Sequence, residues 1–138
     1  MDSFSKEERS RIMSRIRSFD TKPEVAVRKY LFSKGLRYRK NVATLPGKPD
    51  LVFPKYKTVV FIHGCFWHGH NCKAADLPET RREFWEKKIE GNKSRDKENV
   101  LALQSLGWKI LTVWQCEIKN KILFEKRLSV LIQEIQIL

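Results

Sequence analysis

The sequence predicts one domain of mixed α/β class, with a mixed central sheet flanked by helices, and three observations carry that expectation. Helical spacing of apolar residues follows two N-capping signals within the first 24 residues. Thr58-Val59-Val60-Phe61-Ile62 is an almost wholly apolar run that suits the centre of a sheet. A second strand-like run, Trp108 to Trp114, returns after a long helical stretch. At 138 residues the chain supports one core and no second one, so a single domain spans 1–138.

The elements follow in order. Ser5 and Glu8 form a capping box, and Ile12, Met13 and Ile16 continue a first helix to about Ser18. Thr21 and Glu24 repeat the box with Pro23 in the first turn, and Val27, Leu31 and Phe32 carry a second helix to Gly35, a residue suited to the position after a helix end. Leu36 to Val42 reads as a short strand, Pro46-Gly47-Lys48-Pro49 as a turn, and Asp50 to Phe53 as a strand. Pro54 to Lys57 turns into the apolar strand 58–62. Beyond a loop, Pro78 and Glu79 open a helix with Phe84, Trp85 and Ile89, which Gly91 interrupts. A further helix through Val100, Leu103 and Leu106 stops at Gly107, and Phe124, Leu128, Leu131, Ile132 and Ile135 mark an amphipathic C-terminal helix. The expected order is α-α-β-β-β-α-α-β-α around one mixed sheet.

Composition narrows the function. With 41% hydrophobic and 32% charged residues the chain fits a soluble globular protein, and it lacks both a run of about 18 apolar residues and the apolar core of a signal peptide. The expected setting is a reducing cytoplasm, away from membranes, where three cysteines suit metal binding better than disulfides. Against 16 acidic residues stand 28 Lys and Arg, a net charge of +12 that calls for a polyanionic partner. The basic residues are spread along the chain and not gathered on one amphipathic helix, which favours nucleic acid over anionic lipid. A strongly solvated basic surface is the plainer alternative.

His63-Gly-Cys-Phe-Trp-His-Gly-His-Asn-Cys72 holds all three histidines and two of the three cysteines. Cys65, His70 and Cys72 lie within eight residues, and Cys116 follows 44 positions later (116 − 72) at a strand end. Together they make a Cys3His set, a common closed structural Zn²⁺ site, although the spacing is not that of a familiar zinc finger. Three thiols serving as small buried hydrophobes is the alternative. A zinc ion would staple a loop too poor in apolar residues to hold itself.

That assignment leaves His63 and His68 for acid–base chemistry near neutral pH. Asp50 opens the preceding strand, where a carboxylate beside a polyanion is suited to holding Mg²⁺ against phosphate. Asp96 reads by itself as a surface helix residue and Glu24 as a capping residue.

Leu-Pro-Gly-Lys-Pro-Asp at 45–50, Val59-Val60-Phe61-Ile62 and His63-Gly64-Cys65-Phe66-Trp67-His68 give the sequence a resemblance to the very-short-patch-repair (Vsr) endonucleases. The likeness continues through Arg81, Glu83-Phe84-Trp85, Lys88-Ile89, Asn92, Arg95-Asp96, Leu106-Gly107-Trp108 and Val113-Trp114-Gln115-Cys116. It also takes in Arg9-Ser10, Met13, Ile16 and Asp20-Thr21 through Glu24, and leaves out only the last helix.

The resemblance implies a bacterial enzyme, cytoplasmic and nucleoid-associated, that nicks double-stranded DNA 5′ of the thymine in a T:G mismatch left by deamination of 5-methylcytosine. It implies a restriction-endonuclease-like fold, with residues 1–20 as a DNA-contacting helix or arm. By position, Asp50 would hold catalytic Mg²⁺ and His68 would act as general base, with His63, Asp96 and Glu24 completing the polar shell. Cys65, His70, Cys72 and Cys116 match the family's zinc ligands. Phe66, Trp67 and Trp85 would enter the base stack beside the mismatch, where a mispaired step costs less to open; a core role is the alternative, and Phe84 suits the core.

Two departures stand out. Ile62 replaces a threonine, which is harmless if that position serves the metal through its main-chain carbonyl, and Gly69 stands where relatives can have histidine. The non-palindromic target implies a monomer, and mismatch-repair proteins are possible partners. Two rival functions share these features: a restriction or phage-defence nuclease of the same fold with another target, and a non-catalytic zinc-stabilised DNA-binding module.

Overall fold

The computed structural model describes residues 21–137. The expected helix over Ser5–Ser18 and the arm 1–20 lie outside the described residues.

Helix α1 (Lys22–Ser33) begins at Thr21 with Pro23 in the first turn and stops at Gly35, whose φ is +86°. There the Leu36 N–H donates back to the Leu31 carbonyl at 3.1 Å and the Gly35 N–H to Phe32 at 3.0 Å. This closes the helix end with a left-handed residue and buries Leu36 beside Leu31. Strands β1 (Arg39–Lys40), β2 (Leu51–Phe53) and β3 (Thr58–His63) then pair antiparallel in sequence. Helix α2 (Arg82–Ser105) crosses over to β4 (Lys109–Trp114), which runs parallel to β3 from Thr58 opposite Lys109 to His63 opposite Trp114. Helix α3 (Lys121–Gln136) closes the domain. The sheet order is β1-β2-β3-β4, with one parallel pair among antiparallel ones.

Side-chain alternation along the strands divides the core in two. Leu51, Phe53, Val60, Ile62 and Val113 pack with Val27 and Leu31 of α1 and Leu128, Leu131 and Ile135 of α3. On the other face Val52, Val59 and Phe61 meet Leu103 of α2, with Trp108 and Ile110 at the margin. Both faces of β3 are therefore covered, which is why its sequence is apolar without interruption. The Lys109 ammonium donates to the carbonyls of Glu134, Ile135 and Ile137, supplying the cation that the last turn of α3 lacks. No helix among the described residues is long and apolar enough to cross a membrane.

Several expectations need correction. Leu36–Val42 contributes only Arg39–Lys40 to the sheet, because its partner β2 is three residues long and Asn41 turns away at φ +50°. The strand expected from Asp50 starts at Leu51, and that from Trp108 at Lys109. The two helices expected on either side of Gly91 are one, beginning at Arg82 and not at Pro78. A glycine in a helix interior costs about 1 kcal/mol relative to alanine, which burial of Ile89 and Leu103 outweighs. The Thr21–Glu24 capping box does not form: Thr21 makes no side-chain cap bond, and Glu24 is buried. Phe84 is 45% exposed and does not belong to the core.

A Cβ added at Gly91 meets only Arg95, at 3.6 Å, an ordinary contact. Gly91→Ala is therefore expected to raise unfolding stability by roughly 0.5–1 kcal/mol in a denaturant titration; a loss of stability would show that α2 needs a glycine there.

Candidate active site and metal centre

The C-terminal end of β3 organises the site. Asp50, just before β2, turns its carboxylate to the neighbouring strand, and Oδ2 accepts the Ile62 N–H at 2.6 Å. In the alternating geometry of an antiparallel strand the Ile62 carbonyl lies on the same edge as its N–H, beyond the last β2 partner. The Ile62 side chain points the other way, into the core shared with α1 and α3, and is 9% exposed. A hydroxyl at this position would therefore face apolar packing, so only the main chain of residue 62 is turned to Asp50. Burial pushes the Asp50 carboxyl from its ordinary 3.8 up to about 7; the Ile62 N–H opposes this, the Glu24 charge adds to it and Arg28 subtracts.

His63 and His68 lie face to face, ring centroids 3.7 Å apart and planes within 3°. The loop between them turns tightly, with His68 N–H on the Gly64 carbonyl at 3.2 Å and His70 N–H on Cys65 at 3.0 Å. His68 Nδ1 contacts Asp96 Oδ2 of α2 at 2.7 Å. His63 is held down to about 4 by burial and then by the charge of His68, with Asp96 opposing, so its ring is neutral at pH 7. Its Nδ1 is buried without a hydrogen-bond partner among the described residues. Glu24, Asp50, His63, His68 and Asp96 all line one cavity of about 500 Å³. The structure thus brings together every residue expected to do chemistry, with Ile62 at its wall.

Beside it, ligand atoms of Cys65, His70, Cys72 and Cys116 all lie within 4.8 Å of one another. His70 Nδ1 is 3.5 Å from Cys116 Sγ, and the Cys116 N–H points to Cys65 Sγ at 3.4 Å. Burial, then hydrogen bonding and charge repulsion from Cys65 and Cys72, push the Cys116 thiol up to about 12. Crowded sulfurs that resist ionisation alone are a donor set that a soft cation would satisfy. The His70 ring stacks on Trp114 at 4.1 Å, tying the cluster to β4.

A side chain at position 69 would strain this arrangement, which glycine avoids. The φ of Gly69 is +61°, and a Cβ would lie 2.7 Å from both Ile89 and Lys93 of α2. Phe66, Trp67 and Trp85 contact one another edge-on at 5.1–6.0 Å and are half-buried, forming an aromatic ridge at the junction of loop and α2. The Asn92 amide anchors the ridge by donating to the Trp67 carbonyl at 2.8 Å.

Comparison with known proteins identifies the family of the chain. A sequence model of the family described as DNA mismatch endonuclease Vsr matches residues 1–74. The Type II nicking enzyme V.NmeAIP of Neisseria meningitidis serogroup A is 50% identical over 135 residues, 98% of this chain and 96% of the relative. The chain belongs to the Vsr family. Other Vsr relatives are the Type II nicking enzyme V.XorIIP of Xanthomonas oryzae pv. oryzae, 46% identical over 127 residues (92% and 93% of the two chains), and the DNA mismatch endonuclease Vsr of Escherichia coli, 42% identical over 120 residues (87% and 77%).

Sequence reasoning missed three supports of this Vsr site. Arg28, one helical turn beyond Glu24, is buried close enough to act on the Asp50 charge; the i, i+4 spacing was a usable signal. Asn92 had no signal for its bond to the Trp67 carbonyl. Nor did the bracket behind Cys116: Arg127 of α3 reaches Glu117 at 3.5 Å, Glu134 at 2.8 Å and the Thr112 carbonyl at 3.1 Å, while Glu117 accepts the Trp114 N–H at 2.7 Å.

Because folding raises the Asp50 pKa, the unfolded chain ionises first as pH rises. The stability associated with the neutral carboxyl is complete below about pH 4 and is lost as pH climbs through about 7. Asp50→Asn, which keeps an acceptor for Ile62, is expected to match the parent's stability near pH 4. Without added Mg²⁺ it should gain an advantage on the order of 4 kcal/mol at most by pH 8. A difference in Tm that does not change with pH would contradict this.

Proposed function

We propose that this Vsr-family protein is a metal-dependent endonuclease with a restriction-endonuclease-like fold that nicks double-stranded DNA 5′ of the thymine in a T:G mismatch. The observation that carries the reading is the placement of a paired His68–Asp96 and the Asp50 carboxyl in one cavity, with an aromatic ridge at the junction of the His68 loop and α2. Relatives named nicking enzymes favour cutting of one strand.

Pairing of Nδ1 with Asp96 directs the His68 proton to that nitrogen and leaves Nε2 to accept a proton from the attacking water. Asp96 then stabilises the imidazolium. Neutral His63, stacked on His68, adds no competing charge and donates a hydrogen bond to the phosphate. Mg²⁺ held by Asp50 and the Ile62 main-chain carbonyl would supply Lewis-acid charge at the scissile phosphate. The Asp50 carboxyl fits a cation because it is crowded by burial and by Glu24, both of which a positive charge relieves. The products are a 5′-phosphate and a 3′-hydroxyl. Phe66, Trp67 and Trp85 detect the lesion by entering the weakened base step. Residues 1–20 contact DNA as an arm, and the protein acts as a cytoplasmic monomer on the nucleoid, with mismatch-repair proteins as possible partners.

The Cys3His cluster is a structural Zn²⁺ site. Tetrahedral Zn–S bonds of about 2.3 Å place ligand atoms roughly 3.7 Å apart, close to the 3.5 Å between His70 and Cys116.

A duplex with one T:G mismatch, incubated with Mg²⁺ beside T:A and G:C controls, tests the reading. Selective nicking is expected, and its absence would overturn it. Asp50→Ala is expected to abolish nicking while DNA binding persists, and His68→Ala to slow it by at least about 100-fold; full activity in either variant would remove that residue from the mechanism. Phe66→Ala or Trp67→Ala should lower discrimination between mismatched and paired duplex, with paired-duplex binding little changed. One zinc per chain is expected on metal analysis of unchelated protein, and none in Cys65→Ser; a zinc-free native protein would refute the staple.

A further inference from the structure

The active cavity is lined by the carboxylates of Glu24, Asp50 and Asp96, yet phosphodiester hydrolysis there must pass through a species more negative than the substrate. Among the described residues a single Lys or Arg, Lys48, lines it. Arg28 acts on the Asp50 charge but is not part of the lining. His63 is neutral, and His68 is paired with Asp96. Lys48 is exposed at the rim, and no described carboxylate pairs with it.

The chain holds Lys48 there with an unusual backbone. Its φ is +48°, beside Gly47 at +76°, and the two are bracketed by Pro46 and Pro49. Left-handed geometry crowds the Cβ of an L-residue, and lysine, unlike asparagine, has no short polar side chain to offset the cost locally. Two of the four described non-glycine residues with this backbone, Asn41 and Lys48, line the active cavity. Strain of this kind collects where function needs it. The turn is also pinned. The Lys48 N–H donates to the Leu45 carbonyl at 3.1 Å, and Pro49 is buried. Gly47 approaches α2 so closely that a Cβ there would lie 3.0 Å from the side-chain amide of Asn99. Asn99 follows Asp96 at i, i+3 on one helix face, so the turn that carries Lys48 and the partner of His68 are referenced to the same surface of α2.

We propose that Lys48 is a catalytic residue of the nicking reaction, its ammonium donating to a non-bridging oxygen of the scissile phosphate and stabilising the charge that grows there in the transition state. The proposal rests on the DNA-nicking reading above. The bond from the water oxygen to phosphorus forms as the bond to the 3′ oxygen breaks, one water proton passes to His68, and the leaving oxygen takes a proton from solvent. Lys48 transfers none. A fixed cation that meets developing charge raises kcat, whereas one that meets the ground-state phosphate equally raises affinity alone.

The test uses the full-length protein and a T:G duplex. Lys48→Asn removes the charge and keeps a residue that accepts the left-handed backbone, and Lys48→Arg keeps the charge. Lys57→Asn, at an exposed lysine with φ +50° outside the cavity, is the matched control. At saturating duplex and Mg²⁺, Lys48→Asn is expected to slow single-turnover nicking about 10- to 100-fold. Lys48→Arg and Lys57→Asn should nick near the parental rate, and duplex affinity without Mg²⁺ should stay close to the parent's in all three. Sulfur at one non-bridging oxygen of the scissile phosphate should slow the parent by a factor that shrinks in Lys48→Asn. If Lys48→Asn loses stability, Lys48→Gly, whose backbone accepts this geometry, carries the same expectations. Parental nicking by the neutral variant, a loss confined to duplex affinity, an equal loss in Lys48→Arg, or a sulfur effect equal in parent and neutral variant would each overturn the assignment while parental nicking stands. Failure of the parent to nick the T:G duplex would remove the functional reading and this role with it.

Discussion

The parallel pairing of β3 with β4, in register from Thr58–Lys109 to His63–Trp114, sets the geometry on which every other part of the site depends. It ends both strands at the same level. His63 and Trp114 therefore leave the sheet side by side, their rings 5.2 Å apart, and the loops that follow them bring Cys65 and Cys116 together although 51 residues separate them. A shift of one residue would turn His63 to the opposite face and carry Trp114 away from His70. The apolar faces of Val59, Val60, Phe61 and Val113 fix that register, since each face has its own core to fill.

From that fixed end the two faces of the sheet take different work. Helices α1 and α3 bury one face and bring in Glu24 and Arg28 at the cleft and Arg127 behind Cys116. Helix α2 covers the other and contributes Asp96, Asn92 and, two turns before Asn92, Trp85. The Asp50–Ile62 bond joins β2 to β3 where regular pairing has ended, and it holds a carboxyl that burial makes reluctant to ionise. The fold thus keeps unfavourable electrostatics at the site, at Asp50 and among the thiols, which bound cations would relieve. Stability given up there is supplied by the two cores.

Much of this was legible because some residues admit few readings. The run 58–62 could only be a strand covered on both sides, and a chain whose three cysteines and a nearby histidine fit one ligand set offers few other groupings. The Vsr resemblance was carried by the loop 63–72 and by Pro49-Asp50, where spacing itself is the signal. What the sequence hid depends on tertiary partners. Gly91 looked like a break because propensity was visible and the burial of Ile89 and Leu103 was not. Leu36–Val42 looked like a strand because its own residues allow one, while the three-residue partner and the turn at Asn41 decide its length. The Thr21–Glu24 pattern looked like a cap because the cleft that takes Glu24 is assembled by residues far along the chain. The stacking of His63 on His68 and the Arg127 bracket likewise exist only once β3, β4 and α3 have met.

The central claim is that one metal-stapled loop, anchored to the end of a parallel strand pair, holds both the reacting histidines and the lesion-sensing aromatics. Hydrogen–deuterium exchange on the protein before and after zinc removal, with nicking of a T:G duplex followed on the same samples, tests it most directly. Exchange protection is expected to vanish across 63–72 and to persist in β3 and β4, with nicking lost together with the loop. Unchanged protection across 63–72 and an unchanged nicking rate after the metal is stripped would contradict it.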